Sequence, residues 1–471
     1  MEINRFKEFK SVFQKNFGFP LTGDQQRLLN ILENFITSES KDPLLIVRGY
    51  AGTGKTSMLG SFVKTIQEFK LKSRLLAPTG RAAKVLSQRS GKDAFTIHKQ
   101  IYRRENGSDD FSALGLIPNL FTNTIFIVDE ASMIGEHSLQ ADGSVSRDLM
   151  SDLMEYVYSG KNCKLILIGD EGQLPPVGSD DSPALMDEYL KNHFPRLTVG
   201  SSDLNEVLRQ ESSSGILVNA TRLRDTDPQR KFSFDFSFSD FVDLKGDQLQ
   251  EELESAYSRF GEDQVLVITR SNKRANLFNQ SVRGRILWFE EQLCYGDRMM
   301  VVKNNYYWLS EDSSAGFIAN GEMLRIQRIV KYEEQYGFDF ARVIVSMLDY
   351  PDQAEFEVLL LLEALHTERP SVPRDRMREL FFAVEKDYMH EKNKRKRFKL
   401  VLKDPYLNAL QVKYAYAVTC HKAQGGQWSA VFIDLGYLPP DSDRKDLFRW
   451  LYTAVTRAAE KVYLLNFPQS I

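Results

Sequence analysis

The sequence predicts an α/β protein made of two parallel-sheet domains, each interrupted by a smaller insertion. Three observations predict it. Short apolar runs at 44–47, 74–77, 124–128 and 164–168 alternate with helical stretches such as 57–69 and 81–87, the pattern of a parallel sheet covered on both faces. A second alternating region opens at 264–269 and finishes with runs at 430–435 and 461–465. Between about 330 and 406 the period shortens to two, as at 342–346 and 398–402, which predicts antiparallel strands.

Taken in order, residues 1–40 read as helix, because Leu28, Leu29, Ile31, Leu32 and Phe35 recur at helical spacing. The run 44–47 is the first buried strand. Residues 1–98 and 120–205 form the first domain. The polar, glycine-bearing stretch 99–119 leaves its sheet as a small insertion. Ser212-Ser213-Ser214-Gly215 is a loop just past that domain. Residues 206–330 and 409–471 form the second domain, and 331–408 its β-rich insertion, within which 385–399 is densely charged.

The chain has 471 residues, more than one compact core accommodates, in keeping with several domains. Hydrophobic residues make up 42% and charged residues 27%, ordinary globular material. A net charge of -3 argues against a simple basic nucleic-acid coat, but it allows positive charge confined to one groove. Cys163, Cys294 and Cys420 are far apart and without metal-ligand spacing, so a reduced, cytoplasmic chain is expected. The first residues lack the apolar core of a secretory signal, and no run approaches the ~20 apolar residues of a membrane span.

The chemistry starts at residues 49–56. Gly49, Gly52, Gly54, Lys55 and Thr56 fit G-x-x-x-x-G-K-[ST], after a buried strand and before a helix. The glycines let backbone N–H groups face phosphates, and the next helix adds its positive N-terminus. Lys55 is expected to reach the β- and γ-phosphates of ATP, and the Thr56 hydroxyl to ligate Mg2+. Gly52, Thr53 and Gly54 complete the cradle. Asp129 and Glu130 end an apolar strand, the place for a magnesium ligand and for a group that polarises the attacking water.

Other stretches narrow the class. Leu21-Thr22-Gly23-Asp24-Gln25, Ala77-Pro78-Thr79-Gly80-Arg81, Thr96-Ile97-His98 and Gly169-Asp170-Glu171-Gly172-Gln173-Leu174-Pro175-Pro176 occur in the first domain. Leu204 to Gln210, Val418-Thr419-Cys420-His421-Lys422-Ala423-Gln424-Gly425 and Leu451-Tyr452-Thr453-Ala454-Val455-Thr456-Arg457-Ala458 follow. In type and order these resemble the motifs of superfamily 1 helicases, above all the 5′→3′ RecD/Dda-like branch.

The resemblance implies two RecA-like domains, the second carrying an SH3-like insertion. It also implies ATP-driven 5′→3′ movement on single-stranded DNA with unwinding of forked duplex. Gln25 is then the adenine reader and Gly425 a further nucleotide contact. Gln173 links the γ-phosphate to the DNA side, and Arg209 and Arg457 reach the γ-phosphate from across the cleft. Pro78, Thr79, Gly80, Arg81, Thr96 and His98 on one domain, and Thr269, Asn272, Thr419, His421 and Lys422 on the other, are the expected DNA grips. Tyr102, Phe111 and Leu114 are candidates for the tip of a strand-separating pin. Gln427 stands where the family pattern places an acid. A monomer, with replication or repair proteins as partners and no membrane, is expected. An RNA translocase of the same superfamily and a nucleotide-dependent protein loader remain open alternatives.

Overall fold

The computed structural model describes residues 8–104, 114–135, 148–206, 214–310, 313, 315–439, 442–468 and 470–471. The apolar runs of the first half become strands because they can be buried on two faces at once. β1 (Pro43–Gly49), β2 (Lys72–Ala77) and β3 (Ala94–Thr96) are followed by an antiparallel hairpin, β4 (Tyr102–Arg104) with β5 (Leu114–Leu116). Then come β6 (Thr124–Val128), β7 (Lys164–Gly169) and β8 (Thr198–Leu204). The hairpin apart, these strands pair in parallel in the order β3-β2-β6-β7-β1-β8. Alternate side chains serve opposite faces. Leu45, Val47, Ile127 and Ile168 pack with Phe13, Leu29 and Phe62 of the helices Phe9–Phe17, Gly23–Thr37 and Lys55–Glu68. Leu44, Ile46, Phe126 and Leu167 meet Met150, Leu153 and Val157 of the helix Leu149–Ser159.

The second half builds two more sheets. β9 (Phe241–Leu244) and β10 (Val265–Thr269) precede β11 (Arg298–Val301), β12 (Met323–Gln335), β13 (Phe338–Met347), β14 (Phe356–Leu361) and β15 (Val412–Tyr414). β16 (Ala417–Thr419), β17 (Trp428–Asp434) and β18 (Ala458–Leu465) close the chain. A parallel sheet runs β16-β10-β17-β18-β9, and an antiparallel sheet runs β14-β13-β12-β11-β15. The molecule is thus α/β with two parallel sheets. The antiparallel sheet draws β11, the start of β12 and β15 from outside 331–408. Its residues Met299, Leu324, Val343 and Val358 share one core with Val265, Val267 and Phe432 of the second parallel sheet.

One strand expectation fails. Residues 398–402 belong to the helix Lys394–Leu402. Asn393 caps that helix, its side chain accepting from the N–H groups of Arg395 and Lys396, and Arg397 bonds to Glu385 at 3.0 Å on the helix Arg374–Asp387. Only Val401 turns fully inward, where it joins Leu380, Val384, Phe340 and Leu361. The insertion is therefore a sheet with helices on one face.

Tyr102 is 6% exposed and its hydroxyl donates to Asp152 at 2.6 Å, so its ring is core and no pin tip. Phe111 and the Leu114 side chain lie outside the described residues. The thiols of Cys163, Cys294 and Cys420 are free, and among the described residues no helix is long and apolar enough to cross a membrane.

Candidate nucleotide site and cleft

β1 delivers Gly49 to the rim of the first sheet, and the chain curls before the helix Lys55–Glu68. Gly52 and Gly54 have φ of 79° and 81°, which only glycine adopts without cost. A Cβ on Gly49 would stand 2.9 Å from the Thr53 hydroxyl and 3.0 Å from Leu204 Cβ, so the turn has no room for a side chain. The Lys55 ammonium donates to the carbonyls of Gly49 and Tyr50, the latter at 2.8 Å, and lies 3.7 Å from Asp170 Oδ2. Thr56 follows in the first turn of the helix and is half-buried.

β6 carries Asp129 to the same rim. Asp129 Oδ1 accepts the Glu130 N–H at 2.9 Å. Burial first, and the neighbouring Glu130 charge second, push the Asp129 carboxyl up to about 6, while Lys55 pulls it down. Such a crowded acidic pair, at the same rim of the sheet as the glycine cradle and Thr56, is a donor set that fits a hard divalent cation such as Mg2+ beside phosphates.

Gln25 differs from expectation. It is fully buried, its Oε1 accepts from Thr22 N at 3.1 Å and its Nε2 donates to Thr53 O at 3.0 Å. Its amide thus braces the phosphate loop. Gly425 differs too. Its φ is 73°, and a Cβ there would meet Ala82 Cβ at 2.9 Å and the Thr79 hydroxyl at 3.1 Å. Its surroundings are the start of the helix Gly80–Ser90, a domain–domain contact, and no contact with the phosphate cradle is seen among those nearest atoms.

Arg457 is 4% exposed, although it comes from the far side of the cleft. Its guanidinium donates to Thr453 O at 3.1 Å, Gly426 O at 3.3 Å and the Thr456 hydroxyl at 3.3 Å. One nitrogen stands 3.9 Å from Glu130 Oε1 of the first domain. Gln173 is 5% exposed, and among the described residues its buried Oε1 has no hydrogen-bond partner. Arg209 lies outside the described residues.

Several contacts here escaped the sequence reading. The hydroxyl of Tyr452, on the helix Arg444–Val455, accepts from Ala51 N at 2.7 Å and donates to Asp170 Oδ2 at 2.8 Å. Leu174 N donates to the Thr453 hydroxyl at 2.8 Å, and Gln424 Nε2 to Leu174 O at 2.7 Å. All four side chains lie inside motifs already singled out, and only their mutual distances were unreadable.

The expected DNA grips fall on matching places. In the first sheet Ala77 of β2 pairs with Thr96 of β3 at one edge; in the second, Thr269 of β10 pairs with Thr419 of β16 at one edge. Pro78–Arg81 leave β2, and 270–272 leave β10, at the same strand end. Individual side chains are less free than expected. The Thr79 and Thr96 hydroxyls cap helices, accepting from Ala82 N at 3.2 Å and Lys99 N at 3.1 Å. Gly80 packs beneath Glu322 and Tyr350. Arg81 stacks 4.1 Å above the Trp428 ring and bonds Gln427 O at 3.1 Å, so it spans the cleft. His98 lies against Tyr102, and burial pushes it down to about 4, leaving it neutral. Thr269 is fully buried with its hydroxyl donating to Ser271 O at 3.0 Å. Asn272 opens the helix Asn272–Arg285. His421 is exposed and Lys422 half-buried, and burial, then Lys413, push Lys422 down to about 7.

Residues 21–236 match the model of an AAA domain, and residues 414–465 match that of a UvrD-like helicase C-terminal domain. The T4 phage ATP-dependent DNA helicase dda is 26% identical over 325 residues, 65% of this chain and 67% of that protein. The ATP-dependent RecD2 DNA helicase of Deinococcus radiodurans is 32% identical over 134 residues, 28% of this chain and 16% of that protein. By these matches the chain is similar to superfamily 1 helicases of the RecD/Dda branch. An uncharacterised mimivirus protein, R530, is 24% identical across 93% of this chain and 98% of its own. Among solved structures, Bacteroides Pif1 helicase with ADP-AlF3 and single-stranded DNA is 16% identical, covers 95% of this chain and 93% of that one, and has a TM-score of 0.47.

Proposed function

We propose that this chain is a superfamily 1 helicase that hydrolyses ATP at residues 49–56 and uses the cycle to move 5′→3′ along single-stranded DNA and unwind forked duplex. The observation that carries the reading is Arg457, which crosses from the second parallel sheet to within 3.9 Å of Glu130 on the first. An arginine that enters a phosphate site from a second domain makes hydrolysis and domain closure interdependent.

In this reading Lys55 and the N–H groups around Gly52–Gly54 hold the phosphates, and Glu130 orients the attacking water. Thr56 and Asp129 would hold magnesium, which when bound neutralises charge on the phosphate oxygens. Gln173, whose buried Oε1 has no partner among the described residues, is the group to relay phosphate loss toward the DNA face. Arg209 is assigned beside Arg457 on the motif alone. Gln25 supports the phosphate loop and Gly425 the domain contact. The loops at Pro78–Arg81, Thr96 and His98 and those at Thr269–Asn272 and Thr419–Lys422 grip the strand in alternation, one sheet edge each. The chain acts as a monomer, with replication or repair proteins as partners.

The test is unwinding of matched duplexes bearing a 5′ or a 3′ single-stranded tail, with ATP and magnesium and Lys55→Ala as the blank. Unwinding of the 5′-tailed duplex alone, lost in the variant, is expected. Unwinding from the 3′ tail overturns the polarity. ATP turnover without unwinding of either moves the reading to an RNA translocase or a protein loader.

A further inference from the structure

We propose that Tyr452 is a positioning residue for Arg457. Its hydroxyl rivets the helix Arg444–Val455 to the phosphate loop and so sets where the Arg457 guanidinium enters the cleft. The inference rests on the ATP-driven motor proposed above.

One hydroxyl joins three parts of the nucleotide site. It takes the Ala51 N–H at 2.7 Å and gives its own proton to Asp170 Oδ2 at 2.8 Å. Asp170 is 1% exposed, accepts Gly172 N at 2.9 Å and stands 3.7 Å from the Lys55 ammonium. The ring is closely seated: a Cβ on Gly172 would come 3.0 Å from Tyr452 Cε1. The phenol is 3% exposed, and burial holds it well above its usual titration range, so it remains a proton donor to Asp170.

The adjacent residue supplies a second rivet. Thr453 accepts Leu174 N at 2.8 Å. Successive helix residues point about 100° apart, so two such bonds to the first domain stop the helix from rolling. Arg457 follows the end of that helix and is tied back to it through Thr453 O at 3.1 Å. A roll of the helix therefore carries the guanidinium away from Glu130. The Tyr452 ring only packs; its hydroxyl alone makes the cross-cleft bonds. Phenylalanine keeps the first and removes the second.

The experiment measures binding of ADP–aluminium fluoride, a mimic of the transferring phosphoryl group, and of ADP alone. The proteins are the wild type, Tyr452→Phe, Arg457→Ala and the double variant, each with a thermal melt. Loss of one bond set to a charged group predicts about tenfold weaker ADP–aluminium fluoride binding in Tyr452→Phe, with ADP affinity within about twofold. In the Arg457→Ala background the same substitution adds less than about twofold, because a residue acting through Arg457 has nothing left to place. An equal loss in both backgrounds overturns the proposal, as does a matching loss of ADP binding or no loss at all. If Arg457→Ala itself leaves the mimic's affinity unchanged, Tyr452 has no finger to position and the proposal also falls. DNA-stimulated ATP turnover of the wild type, measured alongside, tests the motor reading separately.

Discussion

Arg457→Ala separates the catalytic from the structural part of the cleft. The side chain makes three hydrogen bonds at 3.1 to 3.3 Å, two of them to main-chain carbonyls. Its removal takes this donor from Gly426 O, while Thr453 O keeps the Thr456 hydroxyl, a cost of about 1–3 kcal/mol in stability. Typical domains hold about 5–15 kcal/mol, so the variant stays folded. At 3.9 Å the attraction to Glu130 is worth roughly 4 kcal/mol at an effective dielectric near 20 before desolvation is subtracted, so the guanidinium is a strong local charge. An arginine finger contributes about 10³–10⁵ in kcat. The expected result is a fall of at least about 10³ in kcat, with ATP affinity changed by less than about tenfold, since Lys55 and the loop amides remain. The assay is steady-state ATP turnover on single-stranded DNA, paired with a urea titration. A well-folded variant whose kcat stays within tenfold of wild type refutes the finger assignment.

Other predictions follow from single contacts. Gly425→Ala forces a Cβ onto a residue at φ 73° and 2.9 Å from Ala82 Cβ, so it strains the domain contact by about 1–2 kcal/mol. Unwinding falls and nucleotide affinity holds, whereas loss of nucleotide affinity would restore Gly425 to the ATP site. Lys422 has its pKa lowered to about 7, so as pH rises through 7 its ammonium loses a proton that phosphate binding must then restore. DNA affinity should drop about fivefold from pH 7 to pH 8 through this group, and Lys422→Met should flatten the profile; a wild-type affinity independent of pH rejects the contact. Gln427→Glu places a carboxylate where Arg89 already donates to the Gln427 amide oxygen. This exposed pair is worth at most about 1 kcal/mol, so ATP turnover moves by less than about fivefold and the gain vanishes in high salt.

The parts of this machine written in short local patterns were readable from the chain. The strand, glycine turn and helix of residues 43–68 depend on apolar burial and on φ values that glycine alone tolerates, and both leave marks in the sequence. The same holds for β6 leading into Asp129 and Glu130. What was not readable depends on partners distant in the chain. Gln25 reads as a free amide until its bond to Thr53 O is seen. Thr269 reads as a loop-end hydroxyl, yet β10 lies between β16 and β17, which buries it. Tyr452 gave no signal beyond its place in the motif, because its function comes from a contact 401 residues away in sequence. At 398–402 five residues are too few to tell a strand from a helix, and the signal that separates them is Asn393, a good cap.

The hydrocarbon core that joins the antiparallel sheet to the second parallel sheet has a mechanical consequence. β12 is 13 residues long, which at about 3.3 Å per residue makes a bar of roughly 43 Å. Met323, at its near end, lines the space between the domains with Arg81 and Trp428, while the turn into β13 lies at the far end. Leu324 and Ile326 share a core with Val265 and Phe432, which ties the root of the bar to the second parallel sheet. A turn of about 5° at the cleft would sweep its tip by roughly 4 Å. The sheet is then a lever that magnifies small movements at the cleft.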